Sequence, residues 1–104
     1  MISWTTPTKP LLIKGADLTG CKVTVDIEQG YTTISVIDPP MSYTAGEGTT
    51  LMPTLTQEQT GALRPGPAKL QVNAITQAGY RAATKKVSIS VGDNIRKEPM
   101  AYGD

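Results

Sequence analysis

A chain of 104 residues, 38% hydrophobic and 18% charged, has the length for one small domain, which buries roughly 60 to 70% of its unfolded surface. Ten Lys and Arg against nine Asp and Glu give a formal charge of +1 with the signs interspersed, so no field exists to attract nucleic acid or an anionic membrane. No histidine is present and Cys21 is the one cysteine, which excludes an intramolecular disulfide, the usual zinc ligands and the commonest acid–base group.

Ten Gly and eight Pro, with many Thr and Val and few helical runs, point to short strands joined by turns. The opening MISWTTPTKPLLIKG has no basic leader before a long apolar region. Its longest apolar run, Leu11 to Ile13, is far below the ~20 residues that span a bilayer. A soluble, unprocessed chain is the expectation, and the absence of a disulfide suits a bacterial cytoplasm.

Pro10 to Lys14 reads as a first strand, followed by the turn GADLTG. From Cys21 to Gln29 the chain alternates, Val23, Val25 and Ile27 inward against Lys22, Thr24, Asp26 and Glu28 outward, the period of a strand with one buried face. Gln29-Gly30 is a tight hairpin, and Tyr31 to Ile37 returns. Asp38-Pro39-Pro40 breaks that strand, Met41 to Ala45 is a short edge strand, and Thr49 to Thr56 follows. Pro53 argues that this last strand is an edge or carries a bulge, because proline cannot donate to a ladder.

The segment TLTQEQTGALRPG is the clearest local pattern. Thr56 caps a short helical turn and Gln59, three residues on, reaches back to close a capping box; Pro65 and Gly66 then release the chain into a strand. Lys69 to Gln77 puts Leu70, Val72 and Ala74 on one face, with Ile75 out of phase. After the turn at Gln77 to Gly79, Tyr80 to Val91 reads as the longest strand, with Val87, Ile89 and Val91 inward. The expected organisation is an N-terminal arm over 1–9, a domain over 10–92 and an extended tail over 93–104. The fold class is all-β: an immunoglobulin-like β-sandwich of about seven strands with one short helical turn near residues 57–63, although the hallmark cysteines and core tryptophan are missing.

Two stretches carry a resemblance: LLIKGADLTGCKVTVDIEQG, and LTQEQTGALRPGPAKLQVNAITQAGYRAATKKVSISV with its Val91-Gly92-Asp93 ending. Over Leu11 to Asp93 the chain resembles small β-sandwich proteins encoded among tail and baseplate genes of phages and prophages of Gram-positive bacteria. It is similar to the N-terminal immunoglobulin-like domain of phage baseplate upper proteins. Asp38 to Gly48, with two prolines, departs from the polar hairpin usual there. The resemblance implies a noncatalytic virion protein of the tail or baseplate, assembled in the bacterial host cytoplasm, with no cofactor. Its implied partners are other tail or baseplate subunits or further copies of itself.

Catalytic, cofactor and metal residues are expected to be absent. Cys21 has no base to activate it and reads as a structural thiol. Asp26 and Glu28 share a strand face at about 7 Å, the separation of paired-acid glycosidases, but they alternate with lysine on a solvated face. Asp17, Asp38 and Asp93 lie in turns without calcium-loop spacing, and Asx-turn chemistry accounts for them. Lys85-Lys86 and Arg96-Lys97 lack interleaved aromatics for a nucleic-acid platform. Trp4 and Tyr102 in the terminal segments, with Met41 and Tyr43 on the edge strand, are the candidate partner contacts. The alternative is a ligand- or carbohydrate-binding module in host-surface adhesion, which needs coplanar rings drawn from Tyr31, Tyr43 and Tyr80.

Overall fold

The computed structural model describes residues 1–103 and contains two antiparallel sheets and one short helix. The strands are β1 (Leu11–Lys14), β2 (Lys22–Gln29), β3 (Thr32–Ile37), β4 (Met41–Thr44), β5 (Gly48–Leu51), β6 (Gly66–Ile75), β7 (Arg81–Ala83) and β8 (Val87–Val91). The helix α1 (Gln57–Gly61) lies between β5 and β6. One sheet has the order β1-β5-β4; the other has β3-β2-β6-β7, with β8 also on β6.

The core follows the period-2 pattern. Val23, Val25 and Ile27 of β2 and Leu70 and Val72 of β6 are buried, and Leu51 from the smaller sheet joins the same cluster. Each such side chain contributes roughly 1.5–3 kcal/mol when fully buried. Thr49 is completely buried because its hydroxyl is used twice, accepting from the Leu18 N–H at 3.0 Å and donating to the Ala16 carbonyl at 2.8 Å. Those bonds tie the β1–β2 loop to β5. At the hairpin, Gln29 pairs with Thr32, which leaves Gly30 and Tyr31 as a two-residue turn with Gly30 at φ 59°.

The capping box forms as its residues dictate. Gln59 N–H donates to the Thr56 hydroxyl at 3.1 Å, and Thr56 N–H donates to the Gln59 side-chain oxygen at 2.9 Å. Gln29 then fixes the helix exit: its amide accepts from Arg64 N–H at 2.6 Å and donates to the Arg64 carbonyl at 2.7 Å.

Several details differ from the sequence expectation. β5 is the central strand of its sheet, between β1 and β4, and it ends at Leu51, so Pro53 falls outside the ladder instead of marking an edge. The expected strand from Tyr80 to Val91 is divided. Asn73 pairs with Ala83 and Leu70 with Val87, so Gln71 and Val72 of β6 face three residues, Thr84 to Lys86. This is a bulge, closed by Thr84: its N–H donates to the Val72 carbonyl at 2.9 Å and its hydroxyl accepts from Val72 N–H at 3.0 Å.

Segment 1–9 does not extend from the sheets. Ile2 forms a parallel bridge with Gly92, Thr8 bridges Thr54, and the Met1 ammonium donates to the Ser90 carbonyl at 2.8 Å. Asn94 holds the start of the following segment by donating to the Ser3 carbonyl at 3.1 Å. Asp104, the last residue of the expected tail, lies outside the described residues.

Candidate functional site

Five of the acidic side chains that the sequence singles out, Asp17, Asp26, Glu28, Asp38 and Asp93, have local partners. Asp17 accepts from Thr19 N–H at 3.0 Å, an Asx turn, and the hydrogen bonds from Thr19 hold its carboxyl below the usual carboxylate range. Asp38, at φ 49°, accepts from Val23 N–H at 3.1 Å while its own N–H donates to the Val23 carbonyl at 2.7 Å. It therefore closes the end of β2 where Pro39 and Pro40 prevent further pairing. Asp26 accepts from the Ser35 and Thr24 hydroxyls, and Glu28 lies 3.6 Å from Lys86 across an exposed face. Asp93 pairs with Lys97 at 3.3 Å. Cys21 is half-buried against the core. Among the described residues, no group of three or more Cys, Asp or Glu side chains is placed to hold a metal ion. No helix there is long and apolar enough to cross a membrane.

Of the four candidate contact residues, Trp4 and the segment that carries Tyr102 both meet α1, whereas Met41 and Tyr43 lie on β4. Trp4 is half-buried, its ring lying over Gly61, where an added Cβ would stand 2.5 Å from the ring. This position follows from the next residue: Thr5 N–H donates to the buried Thr60 hydroxyl at 2.9 Å, and that hydroxyl donates back to the Thr5 carbonyl at 2.8 Å. Met41 packs against the core, whereas Tyr43, two residues along β4, is 47% exposed. Tyr102 is fully exposed, two residues beyond Met100, whose N–H and carbonyl are both bonded to the Gln57 side-chain amide at 2.7 Å.

The three body tyrosines do not share a face. Tyr31 sits in the β2–β3 turn beside the Glu28–Lys69 end of the β2–β6 ladder, and Tyr80 follows Ile75 at the opposite end, where Lys22 pairs. Seven paired positions at ~3.3 Å per residue separate those ends by about 20 Å, and Tyr43 belongs to the other sheet. A flat sugar-stacking platform of these rings is not built. A hollow of ≈ 490 Å³ beside Tyr31 is lined by Arg64, Pro65 and the hairpin backbone, with no acid to serve a sugar or a cation.

What the two sheets leave open is the stretch between β1 and β8. Among the described strands β1 pairs with β5 alone and β8 with β6 alone, so each has an edge that no second strand covers, although segment 1–3 bonds the Ser90 end of β8. Between them runs a groove of ≈ 470 Å³ lined by Leu11, Leu12, Leu70, Val72 and Val87, with Lys14 and Lys85 at its rim. It is continued by a second hollow of ≈ 450 Å³ that reaches Met1 and Lys9 and shares Leu11, Leu70 and Val87. Leu12 is 47% and Val87 54% exposed. The alternating pattern assigned Val87 to the inner face, but nothing opposite covers it. The missed signal is the unbroken Leu11-Leu12-Ile13 run: an edge strand with apolar side chains on both faces calls for cover on both.

Neither a family model, nor a curated protein, nor a solved structure matches the chain.

Proposed function

We propose that this chain is a noncatalytic structural or assembly protein of a phage or prophage tail, associated with the baseplate and acting through protein–protein contacts. In this reading its two sheets form an immunoglobulin-like β-sandwich that presents strand edges to neighbouring subunits. The observation that carries the reading is the pair of edges flanking an apolar groove, β1 and β8, in a molecule where Asp17 and Asp38 close turns and Glu28 pairs with Lys86 on the surface. Exposed edges are sites of strand addition, which joins subunits through main-chain hydrogen bonds and fixes register through alternate side chains. The β4 edge with Tyr43 provides a further contact of the same kind. The two stretches that resemble phage tail and baseplate proteins are the framework that sets these edges: the first covers β1 and β2, the second α1 to β8.

The test is capture of the tagged chain from an induced prophage culture, with mass spectrometry of what accompanies it. Recovery of tail or baseplate subunits, lost on Tyr43→Lys or on Val87→Lys, supports the reading. Absence of any such subunit, together with a strictly monomeric chain in sedimentation, overturns it.

A further inference from the structure

We propose that the groove between β1 and β8 receives segment 98–103 of a second copy of this chain as an extended strand. The inference rests on the protein-contact reading above and names the partner.

The groove is apolar at its centre and cationic at its rims. Lys9 stands at one end and Lys14 and Lys85 at the other, no carboxylate lines either hollow, and no ion pair engages these three lysines among the described residues. An occupant that neutralises the rim and fills the centre therefore carries acid at an end and apolar side chains between, at every second position. The chain contains such a segment. In Glu98-Pro99-Met100-Ala101-Tyr102-Gly103, an extended backbone puts Glu98, Met100 and Tyr102 on one face and the smaller Pro99, Ala101 and Gly103 on the other. Asp104 follows in the acidic phase of the sequence. Met100 is 60% exposed and Tyr102 fully exposed in the single copy, so both have apolar surface to bury.

Lengths agree as well. Lys9 to Lys14 is five steps along the chain, about 16 Å, and Glu98 to Tyr102 is four, about 13 Å, at ~3.3 Å per residue. The edge already accepts added chain at its other end, where Ile2 bridges Gly92 and the Met1 ammonium bonds the Ser90 carbonyl. Within one copy the segment is held at α1, where Gln57 bonds both backbone groups of Met100, and none of its residues lines the groove. Insertion exchanges those two bonds for ladder bonds, with one ladder donor missing at Pro99. Because segment and groove are different surfaces, the contact is head-to-tail and builds a ring or a filament according to the rotation between copies.

The experiment compares the full chain with a variant ending at Lys97, by light scattering behind a sizing column across concentration. It adds titration of the peptide Glu98–Asp104 into the shortened variant, followed by amide NMR. The expected result is a full chain that gains mass with concentration, a shortened variant that stays monomeric, and peptide-induced shifts centred on β1, β8 and the Thr84–Lys85 bulge. The double change Lys14→Glu with Lys85→Glu is expected to weaken peptide binding about tenfold or more. Gln57→Ala, which frees the segment, should lower the concentration of half-assembly several-fold. If the shortened variant assembles like the full chain, the groove is not the joint and the broader protein-contact reading survives. If the full chain stays monomeric and the peptide leaves β1 and β8 unshifted, the insertion is refuted, while the capture experiment independently judges the broader reading.

Discussion

Gly48 sits at the end of the β1–β5 ladder opposite Lys14, at φ 131°, and an added Cβ there would meet backbone and nothing softer. It would stand 2.1 Å from the Ile13 carbonyl oxygen, 3.0 Å from the Ile13 carbonyl carbon and 2.9 Å from the Gly15 nitrogen. Ordinary contact begins near 3.4 Å, so β1 has to retreat by more than an ångström to admit a single methyl group. Two costs combine. A positive φ in a residue with a side chain costs of order 1–3 kcal/mol, and loosening the Lys14 and Gly15 end of the ladder forfeits bonds worth about 1 kcal/mol each. Gly48→Ala should therefore lose roughly 3–5 kcal/mol, a large part of the 5–15 kcal/mol typical of a small domain. Gly46 supplies the internal control: it has φ 83° with nothing within 4 Å of an added Cβ, so Gly46→Ala carries the backbone cost alone, about 1–2 kcal/mol. Urea unfolding followed by circular dichroism measures both. A difference of about 2 kcal/mol or more between the variants is expected; equal losses would refute the close approach of β1 to Gly48.

Thr60→Val keeps the shape of a fully buried side chain but removes the hydroxyl that bonds both Thr5 groups, and should cost about 1–3 kcal/mol with faster amide exchange at Thr5. Gly61→Ala puts a methyl group 2.5 Å from the Trp4 ring, a side chain that can move, so the expected outcome is a red-shifted tryptophan emission with the sheets intact; unchanged emission would mean that the ring does not rest there. Asp17 has its carboxyl held low by the Thr19 hydroxyl and N–H. The sign follows directly: a lowered folded-state value stabilises above the unfolded value, and that contribution is lost as pH falls through the folded one. Carboxyl-carbon NMR titration should find Asp17 below the usual carboxylate range and moved upward in Thr19→Val, with no movement counting against the turn geometry.

How far the structure was legible depended on whether the determining contacts were local. The β2 alternation needs only neighbours in sequence, and Val23, Val25 and Ile27 are buried as their period requires. The capping box involves residues three apart, and both of its bonds form. The bulge at Thr84 to Lys86 was hidden, because an extra residue in one strand shows only against the register of its partner, β6. The docking of segment 1–9 was equally out of reach: its bonds run to Thr60 and Ser90, 55 and 89 residues away, and its apolar residues follow no period. Trp4 accordingly read as an anchor for another molecule when its ring covers Gly61 of its own chain. Pro53 read as the mark of an edge strand although the strand had ended two residues earlier, at Leu51. Of the surface proposed for protein contacts, the exposed position of Tyr43 on β4 follows from the short strand after Pro40, whereas the β1–β8 groove required knowledge of which edges the two sheets leave without a second strand.

Whether this chain works by binding other protein subunits is decided by the mass of the full chain in solution across concentration, set beside the proteins captured with it from an induced prophage culture. The expected result is a discrete assembly larger than one copy or a stoichiometric complex with a tail or baseplate subunit. A monomer at every concentration that captures no such subunit would contradict it.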